Sequence, residues 1–178
     1  GPCLAKKAEA KEPDLAGAID CVLTFEEMKY FFDVFQVDFS KMEEETKEHA
    51  AAAGRLYART GGVSHAVAEC VENIDSDCHV DAVCANGVAN CKKLLENILN
   101  GNAEGNFFEG MACEGGCVGG PKRIIPTQKA TALVNEYAEA SPYKTPAENP
   151  YVIDLIHRLG FFTIEEFLKN SDILTRSL

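Results

Sequence analysis

The sequence predicts an α/β fold: a parallel-stranded sheet flanked by helices. Three observations carry the expectation. Short apolar segments at 18–24, 79–85 and 105–112 have the length and make-up of buried strands. Segments of helical period lie between them and after the last, the alternation that builds parallel sheets. A stretch with five glycines and two cysteines, "GMACEGGCVGG" at 110–120, opens at the end of the third strand. In such sheets, sites lie beyond the carboxyl ends of the strands.

Each element has its own signal. "AIDCVLT" (18–24) is apolar and rich in β-branched residues. Thr24 and Glu27 form the pattern of a capping box, opening a helix over about 25–36. Phe25, Phe32 and Phe35 fall at helical spacing there and are expected in the core. The acidic run 43–48 reads as a solvated face, ahead of an Ala-rich helical turn that Gly61 and Gly62 break. "VSHAVAECVENI" resumes as a helix, with Ser64 as its expected cap. "HVDAVCA" (79–85) is the second strand, and an amphipathic helix follows it to Gly101, a usual stop residue. The third strand, "GNFFEGMA" (105–112), leads into the cysteine loop. A helix with Pro126 in its first turn, then "PYVIDLIHRLG" and "TIEEFLKN", complete the chain.

A formal net charge of −11 argues against nucleic acid, whose phosphates need a basic face; the pairs Lys6–Lys7 and Lys122–Arg123 do not reverse it. No apolar run approaches the length of a membrane span, and no charged-then-apolar leader opens the chain, so a cytoplasmic location is expected. At 178 residues the chain should bury a substantial core without disulfide staples. Its eight cysteines then point to metal ligation or apolar burial.

Cys113 and Cys117 stand four residues apart with Gly115 and Gly116 between them. Glycine permits the sharp turn that would bring both thiolates to one compact cluster, and its backbone lets amides approach cluster sulfurs. Zinc is a weaker fit, since structural zinc favours paired C-x2-C motifs. A phosphate loop lacks its G-K-[ST] ending. Radical chemistry on S-adenosylmethionine would want a third cysteine where Gly120 stands. A further ligand must come from elsewhere, and "GPCLAKKAEA" (1–10) offers Cys3.

Together, "PCLAKKAE" (2–9) and "EGMACEGGCVGG" (109–120) resemble the P-C-x-x-K-x-x-E and E-x-M-A-C-x-G-G-C-x-x-G segments of iron-only (FeFe) hydrogenases, in the C-terminal domain of their large subunit. "DCVLTFEEM", "TGGVSHAVAE" and "CANGVANCKKLLENI" resemble that family's framework stretches in order and spacing. The resemblance implies a 4Fe-4S cluster bridged to a di-iron unit where protons and hydrogen interconvert. By position, Cys3, Cys113 and Cys117 would be metal ligands, with Cys117 also bridging to the di-iron unit. Lys6 would donate to a cyanide ligand, Met111 would pack against the di-iron site, and Glu9 would form an ion pair or sit on a polar path.

The family's T-S-C-C-P segment, upstream of the first motif, is absent from the chain. The resemblance therefore implies an incomplete fold: the C-terminal portion of a hydrogenase domain over 1–178. Within it, 1–10 is the first cysteine segment, 18–120 an α/β lobe and 121–178 the C-terminal helices. The cluster is expected to be absent or incomplete in this piece, and the piece alone inactive. A ferredoxin-like carrier or N-terminal iron–sulfur domains of the same parent would supply electrons. Gly1, where catalytic members carry methionine, resembles the sensory branch of the family, so a hydrogen or redox sensor is the alternative. A cluster-free interaction module is the second. The remaining cysteines read as structural: Cys21 and Cys84 in buried strands, Cys70 and Cys91 in helices, Cys78 unassigned.

Overall fold

The computed structural model of the chain describes residues 1–43, 49–173 and 175. Strands β1 (Ala82–Asn86) and β2 (Phe107–Met111) pair in parallel, with Ala82 opposite Phe107 and Asn86 opposite Met111. Eight α-helices are present among the described residues: α1 (Ala5–Glu9), α2 (Phe25–Val34), α3 (Ala52–Arg55), α4 (Gly62–Ile74), α5 (Val88–Leu99), α6 (Thr127–Glu139), α7 (Pro150–Arg158) and α8 (Ile164–Asn170). The α/β class and the parallel pairing agree with the sequence. Most of the acidic run 43–48 lies outside the described residues.

Helices α4 and α5 cover opposite faces of the sheet. Successive strand residues point to opposite sides. Cys84 of β1 meets Ser64 of α4, with Sγ 3.1 Å from Oγ, while a Cβ at Gly110 of β2 would lie 3.4 Å from Cys91 Sγ of α5. Cys84 is level with Glu109, and Ala85 with Gly110. One alternating set therefore faces α4 and the next faces α5.

The segment 18–24 is not a strand. It runs as irregular chain into the cap of α2, and Cys21 is exposed. Its composition suits a strand, but its terminal backbone groups are used elsewhere. The Leu23 carbonyl accepts the Gly1 ammonium at 2.7 Å, and the Thr24 amide donates to Glu27 Oε2 at 2.8 Å. That second bond and its reciprocal, Glu27 amide to Thr24 Oγ1 at 3.3 Å, are the expected capping box.

The phenylalanine set of α2 is not core. Phe25 is 43% exposed and Phe35 71%; Phe32 is half-buried and meets the Phe39 ring edge-on at 4.9 Å. Helical spacing identifies an apolar face, not what covers it. The buried apolar residues are Ala51, Ala53, Leu56, Ala66, Ala85, Val118, Ala138 and Ile156. They sit where α3 packs on α4 and α6, on β1, in the turn that begins at Cys117 and on α7 itself. The accessible surface is 12821 Å². A compact chain of this mass would expose about 8,500 Å², so burial falls short of the expectation from length.

Two buried polar side chains tie the C-terminal helices to this core. Arg55 donates from its guanidinium to the Tyr137 carbonyl at 2.7 Å and lies 4.1 Å from the Tyr137 ring centroid. Asn149 caps α7 through the Tyr151 amide at 3.0 Å and donates to the His49 carbonyl at 2.6 Å. No helix among the described residues is long and apolar enough to cross a membrane.

Candidate functional site

The two cysteine segments meet in space. Cys3 and Cys113 are far apart in sequence, yet the Pro2 carbonyl accepts the Lys122 amide at 3.0 Å. A Cβ at Gly120 would lie 2.7 Å from that same carbonyl oxygen, closer than real Cβ atoms come. Glycine at 120 therefore lets the chain after Cys117 lie directly on the chain before Cys3. Further ties hold the amino end. The Lys7 ammonium bonds both Glu27 oxygens, at 2.9 and 2.8 Å, and Lys122 reaches Glu26 at 3.0 Å.

The loop between the thiols rests on the turn that opens α4. Gly116 has φ +84°, and a Cβ there would lie 2.5 Å from the Thr60 nitrogen and 2.7 Å from the Arg59 carbonyl carbon. A side chain is excluded on both grounds. Across this contact the Thr60 amide donates to the Gly115 carbonyl at 3.1 Å. The Gly115 amide in turn donates to Asn86 Oδ1 at 2.7 Å, and Thr60 Oγ1 shares that oxygen at 3.1 Å.

Glu109 fixes the turn itself. It is 5% exposed, and its two carboxylate oxygens accept from the Gly61 and Ser64 amides, each at 2.7 Å. Gly61 is the N-cap of α4 and Ser64 its third residue. A capping box satisfies these same two positions with local side chains. Here the N-cap has no side chain, and one carboxylate from β2 does both jobs at the positive end of the helix. The expected cap, Ser64, instead donates its hydroxyl back to the Gly61 carbonyl at 3.3 Å.

Cys117 feels the charges of its neighbours. Burial pushes the Cys117 thiol up, Cys3 and Cys113 add to the rise, and the Lys6 cation opposes it. Three sulfurs and a lysine thus share one neighbourhood. Lys6 is exposed and pairs with Glu9, the ion-pair option for that carboxylate. Met111 is half-buried at the end of β2, where its carbonyl accepts the Gly87 amide at 2.8 Å. Cys117 also lines an apolar cavity of about 340 Å³ with Pro2, Phe25, Val118, Ile124 and Leu133; neither Met111 nor Lys6 is in that lining.

No group of three or more histidine, cysteine or acidic side chains among the described residues is arranged to hold a metal ion. A cubane differs, because each of its cysteines ligates a different iron and the ligands stand around the cluster. A 4Fe-4S cluster takes four cysteine thiolates, of which Cys3, Cys113 and Cys117 would supply three. Asn86 and Glu109 were not among the expected site residues. Glu109 stands in the second cysteine segment, at an inward position of β2; Asn86 gave no signal beyond its place at the end of β1.

All eight cysteines are free. Cys84 is exposed, against the expectation of burial, although its sulfur lies 3.1 Å from Ser64 Oγ of α4. Cys70 and Cys91 are half-buried in their helices. Cys78 is exposed and donates to Asp75 Oδ2 at 3.3 Å, and that bond holds its thiol above the ordinary range.

Residues 1–121 match the family model described as "Iron only hydrogenase large subunit, C-terminal domain". The periplasmic Fe hydrogenase large subunit of Nitratidesulfovibrio vulgaris is 25% identical, over 70% of this chain and 38% of its own length. The NADP-reducing hydrogenase subunit HndD of Solidesulfovibrio fructosivorans is 24% identical, over 88% and 34%. Iron hydrogenase 1 of Clostridium pasteurianum is 24% identical, over 81% and 33%. The chain thus spans about a third of the length of these relatives. Among solved structures, a variant of FeFe-hydrogenase HydA1 from Chlamydomonas reinhardtii shares the fold with a TM-score of 0.57 at 21% identity, covering 90% of this chain and 58% of that one.

Proposed function

The chain belongs to the family formed by the C-terminal domain of the iron-only hydrogenase large subunit, and from that premise we propose that it carries three ligands of an iron–sulfur centre serving hydrogen metabolism. One observation carries the reading: the chain before Cys3 packs directly on the chain after Cys117, with the Pro2 carbonyl accepting the Lys122 amide at 3.0 Å and Gly120 against that same oxygen. Cys3, Cys113 and Cys117 would hold a 4Fe-4S cluster, with Cys117 also reaching a di-iron unit. When bound, that centre supplies the electrons and the open metal position by which two protons and two electrons interconvert with molecular hydrogen.

The chain's own residues bind and orient. The Pro2–Lys122 bond brings Cys3 to the loop of Cys113 and Cys117. Lys6 keeps a cation beside the thiols, suited to a charged donor contact with an anionic ligand. Glu9 orients Lys6. The Cys117 thiol, pushed up by burial and then by Cys3 and Cys113, must lose its proton to bind iron, so iron uptake releases protons. Cys117 is itself exposed, with the apolar cavity to one side of it. Met111 would contribute a soft wall by its place two residues before Cys113.

The activity of the whole protein, with electrons from a ferredoxin-like carrier or from iron–sulfur domains of a longer parent, is part of the same proposal. So are the division into 1–10, 18–120 and 121–178 and a reducing cytoplasmic compartment. Eight free thiols support that compartment, while one relative is named as periplasmic. Anaerobic reconstitution with iron and sulfide tests the reading. Iron and acid-labile sulfide should bind together, and Cys3→Ser, Cys113→Ser and Cys117→Ser should each lower both, while Cys21→Ser should not. Equal uptake by all four variants would refute it.

A further inference from the structure

We infer that Asn86 is a positioning residue for the thiol pair: it sets the loop between Cys113 and Cys117 by holding the Gly115 amide. The inference rests on the proposed reading of those cysteines as cluster ligands. Asn86 ends β1, beyond which sites of α/β sheets form. Its Oδ1 accepts the Gly115 amide at 2.7 Å and the Thr60 hydroxyl at 3.1 Å. The Thr60 amide closes the ring on the Gly115 carbonyl at 3.1 Å. Both backbone polar groups of the residue midway between the two ligands are therefore held from outside the loop.

The loop needs such a hold. Gly115 and Gly116 have φ of +89° and +84°, and glycine leaves many other conformations open. Cluster ligation requires the two sulfurs at one separation. Without an external hold, the entropy of ordering this stretch would fall on the metal–sulfur bonds. The bond to Asn86 also directs the Gly115 amide at an oxygen. An amide released from it is free to turn toward thiolate sulfur, and such contacts tune cluster potential.

Asn86→Ala removes the acceptor; Asn86→Asp keeps an oxygen in its place. Because Asn86 is exposed, neither change opens a core cavity. Amide hydrogen exchange on the metal-free full chain should rise about fivefold at Gly115 in Asn86→Ala, the weight of one net hydrogen bond. Asn86→Asp should restore it, and amides of α6 should exchange alike in all three proteins. After reconstitution, Asn86→Ala should retain less iron and sulfide than the parent chain, and Asn86→Asp should retain more than Asn86→Ala. Unchanged exchange at Gly115, or equal iron content in all three, overturns the inference. A parent chain that takes up no iron overturns the cluster reading and the inference with it; failure of the hold alone is told apart because exchange is read without metal.

Discussion

Replacing Glu109 by glutamine tests the account of how the thiol loop is supported. The carboxylate accepts two amide bonds at 2.7 Å in a nearly water-free place. Glutamine has one oxygen, so whichever amide it serves, its NH2 group faces the other N–H. One charge-assisted hydrogen bond is lost, at about 1.5–3 kcal/mol. The favourable interaction of a negative charge with the start of α4 is lost as well, at about 1 kcal/mol. A total of about 3 kcal/mol follows, a large share of a usual domain stability. With a urea slope of about 2 kcal/mol per M, the unfolding midpoint falls by about 1.5 M. Urea titration followed by circular dichroism measures it, with Ser64→Ala as the comparison. That change removes a hydroxyl but leaves both amides capped, and should cost less than about 1 kcal/mol. The slope should stay constant, since neither change alters the surface exposed on unfolding. An E109Q midpoint within about 0.25 M of the parent would refute the capping argument, because it would mean that the two amides do not depend on this carboxylate.

Gly120→Ala forces a Cβ against the Pro2 carbonyl oxygen, which must move. The Lys122 amide, bonded to that oxygen, should then lose hydrogen-exchange protection, and Cys3 should alkylate faster; unchanged protection at Lys122 would show that the amino end is not held there. Glu27 should titrate at about 2, well below its ordinary 4.5, chiefly because of its bond to Lys7. A lowered folded-state pKa adds stability above the unfolded value, and that contribution disappears as pH falls from 4.5 toward 2. Carbon NMR of the Glu27 carboxyl reads the midpoint, and Lys7→Ala should move it upward; a parent midpoint at the ordinary value would refute the pairing.

The sequence by itself determined what short-range physics and motif chemistry encode. The Thr24–Glu27 box depends on residues three apart, and it formed as expected. So did helix α5, and the strands around 82 and 107, whose connection through one helix dictates parallel pairing. The family was legible because two cysteine segments with their flanking residues are too particular to recur without the shared framework. Tertiary structure decided everything that depends on what lies across a gap. Residues 18–24 have the composition of a strand, but a strand needs a neighbouring edge, and their end groups went to the terminus and a cap. Phe25 and Phe35 mark an apolar face that periodicity found and that stays exposed. Glu109 and Asn86 act on residues 48 and 29 positions away. Local pattern cannot show such bonds, because hydrogen-bond distance is a property of the folded chain and not of its order.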